Sequence, residues 1–180
     1  MTRWLPTRRT ALKWLHGTML PFFVWFVLVQ PNDVARVGAW AVQLHSVFGL
    51  IFVTGCLLWT ADYLRRGLAS RPGPKLPGWA RRVHAVMHRV IVWGLSGVAL
   101  TGFLLGLTSS RVLFAGGVLP IAPALGLPEA NDLVGLVHTF EFYALAVIVA
   151  AHAVFHVWRH LVLRDNALRI MAPRVLHRWL

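Results

Sequence analysis

Histidines spaced along one strongly apolar stretch are the residues of this sequence best suited to do chemistry. The stretch 133–163 reads LVGLVHTFEFYALAVIVAAHAVFHVWRHLVL and contains His138, His152, His156 and His160. In an α-helix, His138 and His152 would lie roughly 21 Å apart along the axis and within about 40° of the same face. Imidazole is a common metal ligand. One helix therefore offers ligands at two depths of a bilayer whose apolar core is about 30 Å thick, which predicts a scaffold for two metal centres.

The composition is typical of a membrane protein. Of the 180 residues, 57% are hydrophobic and only 13% are charged. Several apolar runs approach the roughly 20 residues that a helix needs to cross the hydrocarbon core, so membrane lipid is an expected partner. A net charge of +12 raises the alternative of nucleic-acid binding. The basic residues lie between the apolar runs, with no soluble domain to present them, so no nucleic-acid partner is expected.

The apolar runs predict an all-α membrane protein, a single domain over residues 1–180 built as a bundle of four transmembrane helices. The predicted spans cover about 11–29, 37–63, 83–108 and 133–163. The segment RRGLASRPGPKLPGWARR between the second and third spans is rich in Pro and Gly and is predicted to be a loop. The apolar connection 109–132 is expected to lie on the membrane surface or to cap the bundle.

The distribution of basic residues predicts the orientation. Of the 18 Lys and Arg residues, only Arg36 and Arg111 lie outside the N-terminal segment, the second loop with the start of the third span, and the C-terminal segment. The positive-inside rule therefore places both termini in the cytoplasm. The start TRRTALK also resembles a twin-arginine export signal, but no small-residue cleavage site follows the apolar run. We interpret this run as the first transmembrane helix.

Four histidines form two pairs when their depths are compared. His16 lies about two turns inside the first span and His152 about three turns before the end of the fourth, so both belong to the cytoplasmic half. His45 and His138 each lie about two turns after the start of their spans, in the other half. Such pairs fit haem b with one imidazole on each face, whereas zinc or copper more often needs three or four clustered ligands. Cys56 is the single cysteine, which excludes covalent attachment through C-x-x-C-H.

Further residues near the cytoplasmic end are candidates for cofactor binding. His88 in the third span is an alternative to either haem ligand of that half. His156 and His160 continue the line of His152 towards the cytoplasm, and with Arg89 and Arg159 they are candidates for binding haem propionates or relaying protons to a quinone. The alternative interpretation is that these long polar side chains reach from an apolar helix to the membrane interface.

Three other polar residues and a set of glycines have less specific interpretations. Glu141 lies about one turn after His138 and either orients a ligand, accepts a proton or is partly solvated. His84 and His177 are expected at the surface. The glycines of the third span permit close helix packing or leave room beside a flat cofactor, and they comprise Gly94, Gly97, Gly102 and Gly106.

Motifs in every span point to one family. They are LKWLH in the first span, QLHSVFGL in the second, VMHRVIVWGLSGVALTG in the third, and VHTFEFYALAVIVAAHAVFHVW with the tail LRDNALRIMAP in the fourth. On these motifs the chain resembles the prokaryotic cytochrome b-561 family, which is related to the di-haem cytochrome b subunits of membrane-bound nickel hydrogenases and formate dehydrogenases. The likeness covers nearly the whole chain. Its most specific parts are the spacing of fourteen between two histidines of the fourth span and the D-N-x-L-x-x-M-x-P tail.

The resemblance implies a location in the bacterial inner membrane and an oxidoreductase role. It implies two haem b groups, one held by His16 and His152 and the other by His45 and His138. Family members pass electrons between a donor and the membrane quinone pool, and some oxidise periplasmic superoxide while reducing ubiquinone. Departures from the family pattern concern the donor: Gly17 replaces a frequent Trp, and Thr139 replaces an acid that Glu141 supplies two residues later.

Two rival hypotheses remain. In the first, the chain is a membrane-anchor subunit that accepts electrons from a dehydrogenase, a hydrogenase or a periplasmic cytochrome, which requires a redox partner protein. In the second, the histidines line the pathway of a haem-free transporter or proton channel. Co-purification of a second polypeptide would favour the first hypothesis, and the second predicts a colourless protein.

Overall fold

The computed structural model describes residues 6–69, 72–172 and 177–179. The basic residues Arg3, Arg71 and Arg174, which contributed to the predicted orientation, lie outside these ranges. The described elements are six helices and one small hairpin. They are α1 (Arg8–Leu28), α2 (Pro31–Val37), α3 (Ala39–Arg66), α4 (Gly78–Thr108), β1 (Phe114–Ala115), β2 (Leu119–Pro120), α5 (Pro128–Leu161) and α6 (Ala167–Met171).

Four of these helices are long and apolar enough to cross a membrane. They are α1, α3, α4 and α5, with 21, 28, 31 and 34 residues. Helices suit this environment because they satisfy their backbone hydrogen bonds internally. The outer surface is strongly apolar, as lipid contact requires; large exposed side chains on α5 alone include Leu133, Leu136, Phe140, Val147, Val154 and Leu161. The predicted four-helix membrane fold is therefore confirmed.

The helices extend further than the sequence predicted. Helix α3 continues to Arg66, and α4 begins at Gly78 rather than at about 83, so part of the predicted loop is helical. Helix α5 begins at Pro128 rather than at about 133, and the predicted link between the first two spans contains α2. The apolar runs mark only the part of each helix inside the bilayer, whereas the backbone bonds continue into polar residues at the ends.

Helix α5 packs most closely against α4. A Cβ atom added at Gly94 would lie 2.9 Å from a Leu145 methyl group, and one added at Gly97 would lie 3.4 Å from the Glu141 carboxylate. These glycines therefore serve close helix packing, one of the two interpretations that the sequence allowed. The core between the four long helices is made of Met19, Phe23, Phe52, Cys56, Leu95, Val98, Ala99 and Leu145.

The end of the bundle that holds the start of α1, the 67–77 loop and α6 is called the basic end. Arg8 forms an ion pair of 2.7 Å with Asp62 and joins the start of α1 to the end of α3. Lys75 Nζ donates to the Arg164 carbonyl over 3.0 Å. Asp165 Oδ1 accepts from the backbone N–H of Ala167 and thereby begins α6. These contacts tie the start of α1 to the end of α3, and the loop to the segment that precedes α6.

The opposite end, with α2 and the β1–β2 strands, is called the hairpin end. Gly116 and Gly117 have φ values of +62° and +76°, which suit the tight turn between two antiparallel strands. Ser46 Oγ donates to the Phe114 carbonyl and ties the hairpin to α3. Asn131 Nδ2 donates to the Thr108 hydroxyl over 2.8 Å and ties α5 to α4. Of the two predicted places for segment 109–132, the structure therefore has the one in which it caps the bundle.

Candidate functional site

Two of the predicted ligand histidines face one cavity at the hairpin end. His45 on α3 and His138 on α5 both line a cavity of about 440 Å³ that also opens beside β2. This volume lies within the range of about 300–1,000 Å³ that is usual for cofactor pockets. Most of the other lining residues are apolar or aromatic, including Phe26, Phe52, Val98, Phe103, Ile121 and Phe142. The structure thus brings together the pair that depth alone predicted for this half.

The ring of His138 is oriented by a hydroxyl and a carboxylate. Its Nδ1 lies 2.8 Å from Thr101 Oγ1, and that hydroxyl is 3.0 Å from Glu141 Oε2 and 3.0 Å from the Gly97 carbonyl. When the Thr101 hydroxyl donates to Glu141 Oε2 or to the Gly97 carbonyl, its oxygen can accept from His138 in the tautomer that carries the proton on Nδ1. The lone pair of His138 Nε2 is then available to a metal, an arrangement common among metal-ligating histidines.

The ring of His45 has the opposite hydrogen-bond arrangement. Trp25 Nε1–H donates to His45 Nδ1 over 3.3 Å, which places the imidazole proton on Nε2. Phe26 packs edge-on against the same ring with centroids 4.9 Å apart. Ligation of a metal through Nε2 needs this nitrogen unprotonated. The proton would then lie on Nδ1, and the Trp25 hydrogen bond would have to break.

Two glycines leave room around the His45 and His138 rings. A Cβ atom added at Gly49 on α3 would meet nothing within 4 Å, so the space beside that residue is open. At Gly102 on α4, an added Cβ would lie 3.3 Å from Cε1 of His138, which is tight contact. Gly102 therefore permits the position of the His138 ring. The room at Gly49 and the apolar lining suit a flat, largely apolar cofactor.

At the basic end, four imidazoles pack directly against one another. The ring centroids of His84 and His88 lie 4.1 Å apart, and those of His152 and His156 lie 4.5 Å apart. Between α4 and α5, the ring centroids of His88 and His152 lie 4.8 Å apart and those of His88 and His156 lie 5.6 Å apart. Four imidazoles from α4 and α5 thus form one contact group, which we call the imidazole cluster.

Several atoms of the imidazole cluster are available to a ligand. His152 Nδ1 and His156 Nε2 are buried and have no hydrogen-bond partner. His88 Nδ1 lies 2.7 Å from the His84 carbonyl, which fixes the ring and leaves Nε2 as its remaining nitrogen. Buried polar atoms without partners are costly, and they are often explained by a ligand that is absent from a structure. The cluster is therefore a candidate site for a metal or a metal-containing cofactor.

His84 departs from the sequence prediction. It was expected at the surface, but it is only 1% exposed and lies inside the imidazole cluster. The reason is the early start of α4 at Gly78, which places residue 84 almost two turns inside the helix rather than at its second residue. The other histidine expected at the surface, His177, is partly buried and lies within hydrogen-bond distance of the Ala172 carbonyl.

His16 and His152, the pair predicted for the cytoplasmic half, have different ring neighbours. The His16 ring lies beside Trp59 of α3, with centroids 6.0 Å apart, while the His152 ring contacts the imidazole cluster. Both residues are only partly exposed. The assignment of these two histidines to one cofactor therefore stays a prediction, as does the alternative with His88.

The two arginines predicted to contact a cofactor differ in environment. Arg159 is 1% exposed, and its Nε and Nη2 both donate to Asp165 Oδ2, over 2.9 and 2.7 Å. Asp165 belongs to the D-N-x-L tail, so this ion pair explains in physical terms why the tail folds back on α5. The guanidinium is used for this contact, a role that the sequence analysis missed. Arg89 is exposed and keeps its predicted role as a hypothesis.

Comparison with known proteins identifies a family. The family model described as prokaryotic cytochrome b561 matches residues 8–174. This range begins with the first residue of α1, ends beyond α6 and includes every candidate ligand described above. No curated protein and no solved structure matches the chain.

Proposed function

Because the chain belongs to the prokaryotic cytochrome b561 family, we propose that it is a di-haem electron carrier of the bacterial inner membrane. Membership of this family makes the protein a multi-pass membrane cytochrome b with a role in electron transfer. We further propose that it holds two haem b groups and passes electrons from a periplasmic donor to the quinone pool. It makes the chain an oxidoreductase that works without a second subunit.

The observation that carries the proposal is the cavity that His45 and His138 share. The donor set fits haem b, because His45 and His138 line one cavity and their two imidazoles would hold the iron. In the His138 tautomer that ligation through Nε2 requires, Nδ1–H would donate to the Thr101 hydroxyl. The hydrogen bond from Trp25 to His45 opposes ligation, and its loss is a specific expectation of the proposal.

We assign the second haem to His16 and His152 at the basic end. The buried Nδ1 of His152 without a partner supports a role in binding, because such an atom is unfavourable unless something satisfies it. The positions of the two pairs at different depths would allow electrons to cross the bilayer in two steps. His88 remains the alternative partner for this haem, and mutation separates the two assignments.

The chemistry supplied by bound haem is reversible one-electron transfer at iron. The residues of the chain bind and orient it, exclude water and adjust its potential. The apolar lining at the hairpin end keeps water from the site. The contact of Thr101 with His138 Nδ1 increases the basicity of that imidazole, which favours the oxidised metal.

We propose that the hairpin end faces the periplasm and that the donor is a small anion, with superoxide as the first candidate. The positive-inside rule supports this orientation. Arg36 and Arg111 are exposed and are the basic residues that the sequence places on this side. Each superoxide would give up one electron and leave as dioxygen, and two electrons with two protons would convert a quinone to a quinol at the basic end. His156 and His160 are candidates for supplying those protons.

The first experiment is a dithionite-reduced minus air-oxidised spectrum of the detergent-purified chain, with haem counted per polypeptide. The wild type should contain two haems b, and His45→Ala and His152→Ala should each retain about one, since each removes one axial ligand. His177→Ala, outside both pairs, is the matched control and should retain both. A folded protein without haem would contradict the proposal and would favour the transporter hypothesis.

A second experiment tests the donor and the need for a partner. The purified chain is given superoxide and a short-chain quinone, and quinol formation is followed at matched haem content. We expect turnover by the isolated chain. Turnover that appears only when a co-purified second polypeptide is restored would contradict the stand-alone enzyme and favour the anchor-subunit hypothesis.

A further inference from the structure

Three members of the imidazole cluster meet the geometric requirement for a second kind of metal site. One potential ligand atom from each of His84, His88 and His156 lies within 4.8 Å of the other two. We propose that these three side chains bind one divalent transition-metal ion, separate from haem, at the basic end of the bundle. None of the three belongs to the two haem pairs proposed above, and metal binding would replace the proton-supplying role suggested for His156, so this site goes beyond the proposed function.

The arrangement of the helices explains why these three residues meet. His84 and His88 are four residues apart on α4 and therefore lie on one face. His156 faces them from α5, with its ring centroid 5.9 Å from that of His84 and 5.6 Å from that of His88. Two histidines at this spacing on one helix, completed by a ligand from elsewhere, are a recurring way to hold zinc.

The atoms needed for coordination are available at two of the three residues. His156 Nε2 is buried and has no hydrogen-bond partner. His88 Nδ1 is held at 2.7 Å from the His84 carbonyl, so Nε2 points away from that contact and can bind a metal. A hydrogen bond of one ring nitrogen to a carbonyl, with the metal on the other, is a common arrangement for histidine ligands.

Only small side-chain movements separate the cluster from a coordinated state. Zinc–nitrogen bonds of about 2.0–2.1 Å in a tetrahedron place ligand nitrogens roughly 3.3 Å apart. The ligand atoms of the three histidines now lie up to 4.8 Å apart, and rotations of the rings would bring them to the shorter distance. Three protein ligands would leave a fourth position for water, which is usual in sites that are not purely structural.

The electrostatics and donor type select the class of metal. Arg159 follows His156 by three residues on α5, but its charge is neutralised by Asp165, which accepts two hydrogen bonds from it. A dication at the cluster therefore does not face an uncompensated guanidinium. Three imidazole nitrogens favour zinc, copper or nickel and disfavour magnesium and calcium, which prefer oxygen ligands. Zinc is the probe of choice because it has no redox chemistry of its own.

The test uses the full-length, haem-loaded chain in detergent after treatment with a chelator. Zinc binding is measured by isothermal titration, and the metal retained after gel filtration is counted per chain. The wild type should bind one zinc ion, and its zinc X-ray absorption should report imidazole ligands. His84→Gln and His156→Gln should each weaken binding by at least about tenfold, since each removes a ligand. His177→Gln is the matched control and should bind as the wild type does.

Haem content and thermal unfolding are measured on every variant to ensure that a loss of zinc binding is not a loss of fold. We expect both haems in His84→Gln, because His84 belongs to neither haem assignment. The absence of zinc binding in the wild type, or equal binding in all variants, would overturn the proposal, as would loss of a haem from His88→Gln. Because zinc binding is measured without donor or quinone, failure of this site leaves the electron-transfer proposal intact, and the converse also holds.

Discussion

At the hairpin end, two histidines line an open cavity, whereas at the basic end four histidines pack against one another. His45 and His138 face a space of about 440 Å³ with apolar walls and a glycine beside it. Contacting rings of the imidazole cluster have their centroids 4.1–5.9 Å apart. A cavity of this kind is already shaped for a flat cofactor. The cluster brings several ligand nitrogens close enough to share a single ion.

The two ends also differ in how their polar groups are satisfied. At the hairpin end, Thr101 and Trp25 make hydrogen bonds to the two ligand rings. At the basic end, His152 Nδ1 and His156 Nε2 are buried without partners, while Arg159 and Asp165 form a buried ion pair of 2.7 Å beside the cluster. The comparison teaches that matched depth in the sequence does not imply matched environments. Both rings at the hairpin end have a hydrogen-bond partner within the chain, whereas two imidazoles at the basic end each have a buried nitrogen without one.

The largest expected effect comes from filling the cavity. Gly49→Leu adds a side chain where the structure has open space, so we expect loss of the hairpin-end haem and retention of the other. The haem count per chain and the redox titration measure this loss. Gly78→Leu is the matched control, because an added Cβ there also meets nothing within 4 Å but Gly78 begins α4 outside the cavity. Equal haem content in both variants would contradict the assigned position.

The next largest effect concerns the ion pair at the basic end. Asp165→Asn leaves the buried guanidinium of Arg159 without a counter-charge, which should destabilise the fold by about 3–5 kcal/mol. Asp62→Asn breaks the more exposed pair with Arg8 and should cost about 1 kcal/mol or less. Thermal unfolding in detergent compares the two. Similar losses would mean that the buried pair does not stabilise the basic end as the structure implies.

A smaller effect is expected on the potential of the hairpin-end haem. Thr101→Val removes the acceptor for His138 Nδ1–H, so the imidazole becomes a weaker donor and the potential should rise by roughly 30–60 mV, equivalent to about 1 kcal/mol. Thr60→Val is the control, because Thr60 makes a similar contact of 2.7 Å with Ser96 away from both ligands. A redox titration that shifts the potential of neither haem would contradict this orientation of His138.

The smallest expected effect is a gain in haem affinity at the hairpin end. Trp25→Phe removes the N–H that now donates to His45 Nδ1, so the apoprotein no longer loses a hydrogen bond when haem binds. Haem affinity at the hairpin end should rise by up to about tenfold, or roughly 1 kcal/mol. Titration of the apoprotein with haem measures it, with Trp59→Phe beside His16 as the control. Weaker binding in Trp25→Phe would mean that the indole supports the ligated state.

The sequence predicted much of the fold but not its helix ends. The hydropathy of four runs identified the four long helices, because lipid imposes the same apolar requirement on every residue that faces it. The early start of α4 at Gly78 was missed, because polar residues beyond the membrane carry no such signal. That error placed His84 at the surface and concealed the imidazole cluster. The likeness of the motifs to one family was confirmed by the match over residues 8–174.

The candidate site was predicted in outline. Depth along the helices suggested the pair of His45 and His138, since helical rise converts sequence spacing into distance. The contacts of Thr101, Trp25 and Asp165 were not predictable, because each joins residues whose mutual position depends on how two elements pack. The role of Arg159 was missed for the same reason. Its partner is only six residues away, yet the contact exists because the chain turns back at Arg164, which has a left-handed φ of +48°.

The sequence by itself determined that this chain crosses a membrane four times and carries histidines at two depths, because hydropathy and helical rise act along one dimension. The tertiary structure decided which rings share a cavity, which pack into a cluster and which cation is neutralised inside the chain. Those outcomes depend on the rotation and spacing of helices about one another. The close contact of α4 with α5 at Gly94 and Gly97 fixes the spacing of these two helices, and no single stretch of sequence contains that information.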